Sequence, residues 1–205
     1  MKRITLFVFA LFLTIFSISA QTEQGNILLG GTIGGYSVNA GIGNNKEIQS
    51  GFSIIPRIGF FVADNAAIGL GIGYSTDKTK DGTNPAIISN TFEVNPFGRY
   101  YVGLGDKFKF FGELGVNVGF GSSKVDVSGF EPFRSRTIGV NLSPGFVFFP
   151  SEKIGIELTI TGISYSNIDP DTDEDDGTIS IFNIGATKNR ANGFLNPQLG
   201  IYFYF

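Results

Sequence analysis

Four stretches of this chain share one pattern, and that pattern limits what it can fold into. They are SIIPRIGFFV around Pro56, EVNPFGRYYV around Pro96, NLSPGFVFFP around Pro144 and LNPQLGIYFYF from Leu195 to Phe205. Each carries an apolar residue two before the proline and an aromatic residue five after it. In the last copy Leu195, Pro197, Leu199, Ile201, Phe203 and Phe205 occupy every second position. An extended strand sets those six on one face and Asn196, Gln198, Gly200, Tyr202 and Tyr204 on the other. The four copies are read as equivalent strands of one repeated hairpin unit.

Four more strands fill the spaces between them. Gly25–Val38 is extended but ambiguous in its facing, and Gly51–Val62 follows with the Pro56 copy. Ala66–Ser75 alternates Ile68, Leu70, Ile72 and Tyr74 against Ala67, Gly69, Gly71 and Gly73. Thr91–Val102, Lys107–Gly121 and Arg136–Phe149 continue the series. Lys153–Tyr165 sets Ile154, Ile156, Leu158 and Ile160 against Glu157, Thr159, Thr161 and Tyr165. Ala63-Asp64-Asn65, Gly103–Asp106 and Pro150-Ser151-Glu152 are short turns. Asn39–Ser50, Thr76–Asn90, Ser122–Ser135 and Ser166–Asn192 are polar and read as loops. Within the last, Thr178–Ala186 is strand-like and would extend a hairpin beyond a membrane.

Short turns at one end and long loops at the other, with an even strand number, are the marks of an outer-membrane barrel. The expected fold is therefore all-β: an eight-stranded antiparallel up-and-down transmembrane β-barrel, closed so that no sheet edge is left open. A secreted sandwich would not need the asymmetry.

Composition agrees with an exported chain. Lys2 and Arg3, an apolar run from Ile4 to Phe16 and small residues to Ala20 form a secretory signal peptide over residues 1–20. Cleavage after Ala20 leaves 21–205 as the barrel domain, and with no cysteine present a lipid-anchored N-terminus is excluded. Losing Lys2 and Arg3 takes the basic count from 15 to 13 against 18 acids, a net charge of −5. That balance argues against nucleic acid as a partner. No stretch after the signal reaches the roughly 18 apolar residues of a membrane helix.

Charges within the strands decide which face meets lipid. Arg57, Arg99 and Lys109 oppose Glu93, Glu113 and Glu157, all on the face away from the aliphatic side chains. An arginine facing mid-bilayer costs about 2–4 kcal/mol, so this face is the lumen. A balanced set reads as a structural charge network, and the functional alternative is a pore lining. Eight strands enclose an interior just wide enough for side chains to fill, which favours a plug. Phe61, Tyr101, Phe149 and Tyr202 are expected to block the short-turn mouth. Gly69, Gly71 and Gly73 are expected to make room for Arg57, Phe61, Phe97 and Arg99.

Catalytic chemistry finds little to work with. The chain has no histidine and no cysteine, which removes the commonest base, thiolate ligands and disulfides. Serine without a base is a weak nucleophile. No catalytic residue, cofactor or metal site is assigned. The acidic run of Asp169, Asp171, Asp173, Glu174, Asp175 and Asp176 has alternate aspartates like the start of a calcium loop. Counted from Asp171, however, position six is Asp176 rather than glycine, and no glutamate stands at position twelve. A solvated acidic external loop is the simpler reading, with divalent-cation bridging to lipopolysaccharide as the sharper one. Asp169 and Glu174 lack any evident pocket to act as a catalytic pair.

The signal peptide, the repeated proline strands, the short turns and the alternating aromatic C-terminus resemble the small porin-like outer-membrane β-barrel proteins of the OmpA/OmpX-like type. The resemblance covers nearly all of 21–205. It implies residence in the outer membrane of a Gram-negative bacterium, among outer-membrane lipid and lipopolysaccharide. It also implies that Leu199, Ile201, Phe203 and Phe205 are the signal read by the barrel-assembly machinery. Barrel enzymes of related architecture rely on a catalytic histidine, which is missing here. No peptidoglycan-binding domain is expected after the last strand. The role implied is structural or surface-interactive through external loops, with a narrow channel for ions or small solutes as the alternative.

The prolines conflict with the barrel they help define. Proline has no N–H for a ladder, and a closed barrel has no edge strand to hold it. Disrupted pairing is therefore expected at Pro56, Pro96, Pro144 and Pro197, through a bulge or a bend.

Overall fold

A computed structural model describes residues 21–41, 46–127, 131–160, 162–170, 177–184 and 198–205. Six long strands come first: β1 (Ile27–Ala40), β2 (Glu47–Ala63), β3 (Ala66–Asp81), β4 (Ile87–Gly103), β5 (Phe108–Val125) and β6 (Phe133–Ser151). Each pairs antiparallel with the next. The seventh wall is made of two segments in line, β7 (Ile154–Thr159) and β8 (Ile163–Pro170), both paired to β6. The eighth is likewise divided, with β9 (Ile179–Ile184) on β8 and β10 (Gln198–Tyr204) on β7. β10 pairs back onto β1 from Leu28↔Tyr204 to Ile33↔Leu199, so eight walls close into a barrel.

Alternation sets the two faces as expected. Ile54, Ile58, Ile68, Leu70, Ile72, Leu114, Val140, Leu142, Leu199 and Ile201 are exposed on the outside, where lipid receives them. No helix among the described residues is long and apolar enough to cross a membrane, so the strands make the crossing. The turn at Ala63–Ala66 is closed by Asn65 with a φ of 62°, a left-handed conformation that asparagine tolerates better than most residues.

The strands run further than polarity suggested. β3 continues through Thr76–Asp81, β4 begins at Ile87, β5 reaches Val125, and Ser166–Pro170 and Ile179–Ile184 are paired strands. Much of the sequence read as loop is thus sheet. A polar stretch marks where the chain leaves the bilayer, not where it leaves the ladder, because backbone N–H and C=O groups still need partners. β9 is the hairpin extension expected of Thr178–Ala186.

Pairing does lapse at the described prolines, always toward the following strand. Pro56 stands opposite Gly31 on β1, but on the β3 side pairing jumps from Ile54↔Tyr74 to Arg57↔Gly71. Pro96 stands opposite Leu70, while pairing to β5 jumps from Val94↔Val118 to Phe97↔Gly115. Register is the same on both sides of these two gaps, so neither is a bulge. Each proline turns its bonded side, lacking a donor, toward the lapse. Pro197 lies outside the described residues.

Pro144 behaves differently. It pairs with Gly112 on β5, but on its other side β6 passes from Gly145↔Thr159 to Leu142↔Ile163. Between those pairs β6 advances three residues while its partner advances four, a one-residue insertion. The Ile160 N–H donates to the Pro144 carbonyl at 2.9 Å. One extra residue flips every later side chain to the other face. Ile156 and Leu158 point outward before it; Ile163 and Tyr165 do so after it. The inward placement expected for Tyr165 is therefore corrected: it is 44% exposed on the outer face, paired with Val140.

Candidate functional site

Two turns of packing fill the short-turn half of the lumen. The first is aromatic. Phe61, Tyr101, Phe149 and Tyr202, each five past a proline, are fully buried as expected, joined by Leu28, Phe111, Val147 and Tyr204. Ring centroids lie 5.6 Å apart for Phe61–Tyr101, 5.5 Å for Tyr101–Phe111 and 4.9 Å for Phe149–Tyr204. Glycines paired with them on the adjacent strand make this possible. A Cβ on Gly69 would lie 2.4 Å from Phe97, and one on Gly145 would lie 2.3 Å from Phe111.

The second layer is ionic. Arg99, with no exposed side-chain surface, donates from Nε to Glu113 and from Nη1 to Glu157 at 2.7 Å. Arg57 donates from Nη1 to both Glu113 oxygens at 2.8 Å. Tyr204 donates its hydroxyl to the other Glu157 oxygen at 2.6 Å. The Arg99 guanidinium stacks among Phe97, Phe111 and Tyr202 at 5.2, 4.6 and 5.1 Å. Charges balance along Arg57–Glu113–Arg99–Glu157, and the carboxylates find donors on β2, β4 and β10. Burial of ions in a narrow lumen is tolerable only with partners this close.

Of the six charges expected in one network, these four converge and two stand apart. Glu93 lies beside Arg57 and packs on Gly73, whose Cβ would lie 2.4 Å from Glu93 Cγ, but it joins no described ion pair. The room that Gly73 makes thus goes to Glu93, while Gly71 accommodates Arg57 as expected. Lys109 sits at the short-turn mouth and donates to Thr22 Oγ1 at 2.5 Å and Asn65 Oδ1 at 3.1 Å.

The mouth holds the feature that sequence reasoning missed. Sequence reasoning assigns residues 21–24 no role, yet Thr22 is buried and binds Asn65 through both its carbonyl (2.7 Å) and its hydroxyl (2.7 Å). Gly25 N–H donates to the Phe61 carbonyl and Gln24 N–H to Asp64 Oδ1, each at 2.9 Å. This segment lies across the barrel end beneath the aromatic layer. The polar Gln21–Gln24 gave no periodic signal that could have shown it.

Toward the other end a cavity of about 250 Å³ lies above the ion pairs, lined by Arg57, Glu93, Glu113, Asn117, Asn141 and Gln198 among the described residues. Asn95, Asn117, Asn141 and Ser143 hydrogen-bond in series along its wall at 2.7, 2.9 and 3.1 Å. Among the described residues no group of three or more Asp, Glu, His or Cys side chains is placed to hold a metal. Asp169 is exposed on β8, and Asp171, Asp173, Glu174, Asp175 and Asp176 lie outside the described residues.

Leu199, Ile201 and Phe203 point into the lipid-facing band. Phe205 exchanges both backbone hydrogen bonds with Ile27, at 2.9 and 2.7 Å, fastening the last residue to the first strand.

Three solved outer-membrane barrels share this architecture. OprG from Pseudomonas aeruginosa is 16% identical, with a TM-score of 0.51 over 91% of this chain and 99% of that one. Neisserial surface protein A is 13% identical at 0.45, over 88% and 94%. The N-terminal β-barrel domain of Pseudomonas aeruginosa OprF is 13% identical at 0.42, over 89% and 98%. No curated protein sequence matches the chain. A family model for the outer membrane protein beta-barrel domain matches residues 8–188, nearly the whole length. Sequence model and closed barrel agree, and the chain belongs to the outer membrane protein beta-barrel domain family.

Proposed function

We propose that this protein is a plugged outer-membrane barrel whose work is structural or surface-interactive, carried by the hairpins at its long end. The observation that supports the reading is the buried, charge-balanced chain Arg57–Glu113–Arg99–Glu157 across the lumen, backed by aromatic packing and by Thr22 at the mouth. A permeating ion would have to break pairs that are already desolvated, which is costly. No catalytic step belongs to this reading.

Export by a signal peptide cleaved after Ala20 completes the proposal. Mass spectrometry of protein taken from the outer membrane is expected to find Gln21 as the first residue. Retention of residues 1–20 would contradict it.

A second reading, a narrow channel, draws on the polar-lined cavity above the ion pairs. Planar-bilayer recording separates the two. The plugged barrel is expected to show no stable unitary conductance. A stable conductance that changes on Arg57→Ala or Glu93→Ala would establish the channel instead.

A further inference from the structure

Beyond the lipid-facing band the strands sort their charges by face. Glu47, Asp77, Asp81 and Glu93 share the lumen side, with Glu47 opposite Asp81 and Glu93 opposite Gly73. Lys78, Lys80, Lys124, Arg134 and Arg136 alternate to the outer side, and all five are exposed. Among described strand residues at this end, the one outward acid is Asp169, opposite Arg136. None of the five basic residues makes an ion pair with a described residue, not even Arg136 with Asp169.

Four of these cations are spread over β3, β5 and β6. Lys78 and Lys124 stand on either side of Ile88, on strands flanking β4. That is two strand spacings, roughly 10 Å. Arg134 is opposite Ser122, two residues from Lys124, and Arg136 is opposite Phe120. On the same three strands Tyr74, Phe92 and Phe120 lie side by side facing outward, each about half exposed. Aromatic rows of this kind mark the edge of the apolar band. Lys78 and Lys124 come four residues beyond Tyr74 and Phe120, where headgroups begin.

Lys78, Lys124 and Arg134 lie outward beyond this aromatic row and Arg136 is level with it, and with Asp169 the one outward acid this basic surface suits a ligand carrying several phosphates. We propose that Lys78, Lys124, Arg134 and Arg136 form a docking surface for the phosphate groups of lipopolysaccharide in the outer leaflet. The long-hairpin end of such barrels faces that leaflet. Arginine binds phosphate through paired N–H donors and lysine as a point charge. The docking surface is separate from the lumen, so it holds whether the barrel is plugged or conducts.

The test uses the whole barrel, purified in detergent and titrated with lipopolysaccharide, with dephosphorylated lipopolysaccharide, with phosphatidylglycerol and with inorganic phosphate. Retained lipid is read by native mass spectrometry. The double variants Lys78→Gln/Lys124→Gln and Arg134→Gln/Arg136→Gln are compared with Lys107→Gln at the opposite end. Removing each charge is expected to weaken binding roughly fivefold, so each pair by more than about tenfold. Lys107→Gln and the parent are expected to bind alike, and the dephosphorylated lipid weakly. All the positions are exposed, so folding should survive, which heat-modifiable gel migration checks. If one pair fails to fold, the other carries the test. Undiminished lipopolysaccharide binding in a folded double variant overturns the assignment. Equal retention of phosphatidylglycerol, or displacement by millimolar phosphate, does so as well.

Discussion

Arg99→Ala is expected to destabilise the folded barrel by about 3–5 kcal/mol, the range for breaking a buried ion pair from one side. The guanidinium has no exposed surface and holds Glu113 and Glu157 at once. Without it, among the described residues Glu157 keeps only the Tyr204 hydroxyl, and Glu113 keeps Arg57. Three aromatic faces also lose the cation stacked among them. Refolding into lipid vesicles across a urea series, scored by heat-modifiable migration, measures the loss. Arg57→Ala should cost less, because Glu113 retains Arg99 and the Arg57 side chain is 10% exposed. Arg99→Met combined with Glu157→Gln should recover part of the loss by removing a charge together with its partner. An Arg99→Ala barrel within about 1 kcal/mol of the parent would show that the ionic layer does not hold the lumen together.

The second large effect belongs to the insertion beside Pro144. A Cβ on Gly162 would lie 2.0 Å from the Leu142 carbonyl oxygen and 2.9 Å from Pro144 Cδ. Neither is the far end of a flexible chain, so Gly162→Ala must displace backbone. Overpacking of this kind costs about 1–3 kcal/mol. Gly112 is the internal control. It pairs with Pro144 from the other side, and a Cβ there meets nothing within 4 Å. Gly112→Ala should therefore stay within about 0.5 kcal/mol of the parent. Equal urea midpoints for the two variants would mean that the wall tolerates the clash and that the insertion is not fixed by close packing.

The prolines show how far local pattern carries. Their lack of a donor is a property of one residue, so lapsed pairing at Pro56, Pro96 and Pro144 was legible in advance. The form of the lapse was not. Two gaps keep register and one inserts a residue, a difference that depends on what the neighbouring strand offers. At Pro144 it offers Gly162, which alone among residues lets the strand approach that closely.

The same division runs through the lumen. Arg57, Arg99, Glu113 and Glu157 were identified as inward because a strand turns alternate residues to one side, and each is inward. Glu93 and Lys109 were inward too, but they joined no ion pair with the other four. Which inward charges meet depends on strand tilt, on register and on which walls face each other across the barrel. Those are set by closure of the whole sheet, through contacts such as Arg99 to Glu157, 58 residues apart.

Sequence alone determined eight alternating walls, a lipid face and a lumen face, because period-two side-chain direction and the cost of charge in lipid act on each strand separately. Only the tertiary structure decided the Arg57–Glu113–Arg99–Glu157 order, the seal made by Thr22, and the outward turn of Tyr165. Each of these requires two distant segments to be in place together, and no single strand carries that information.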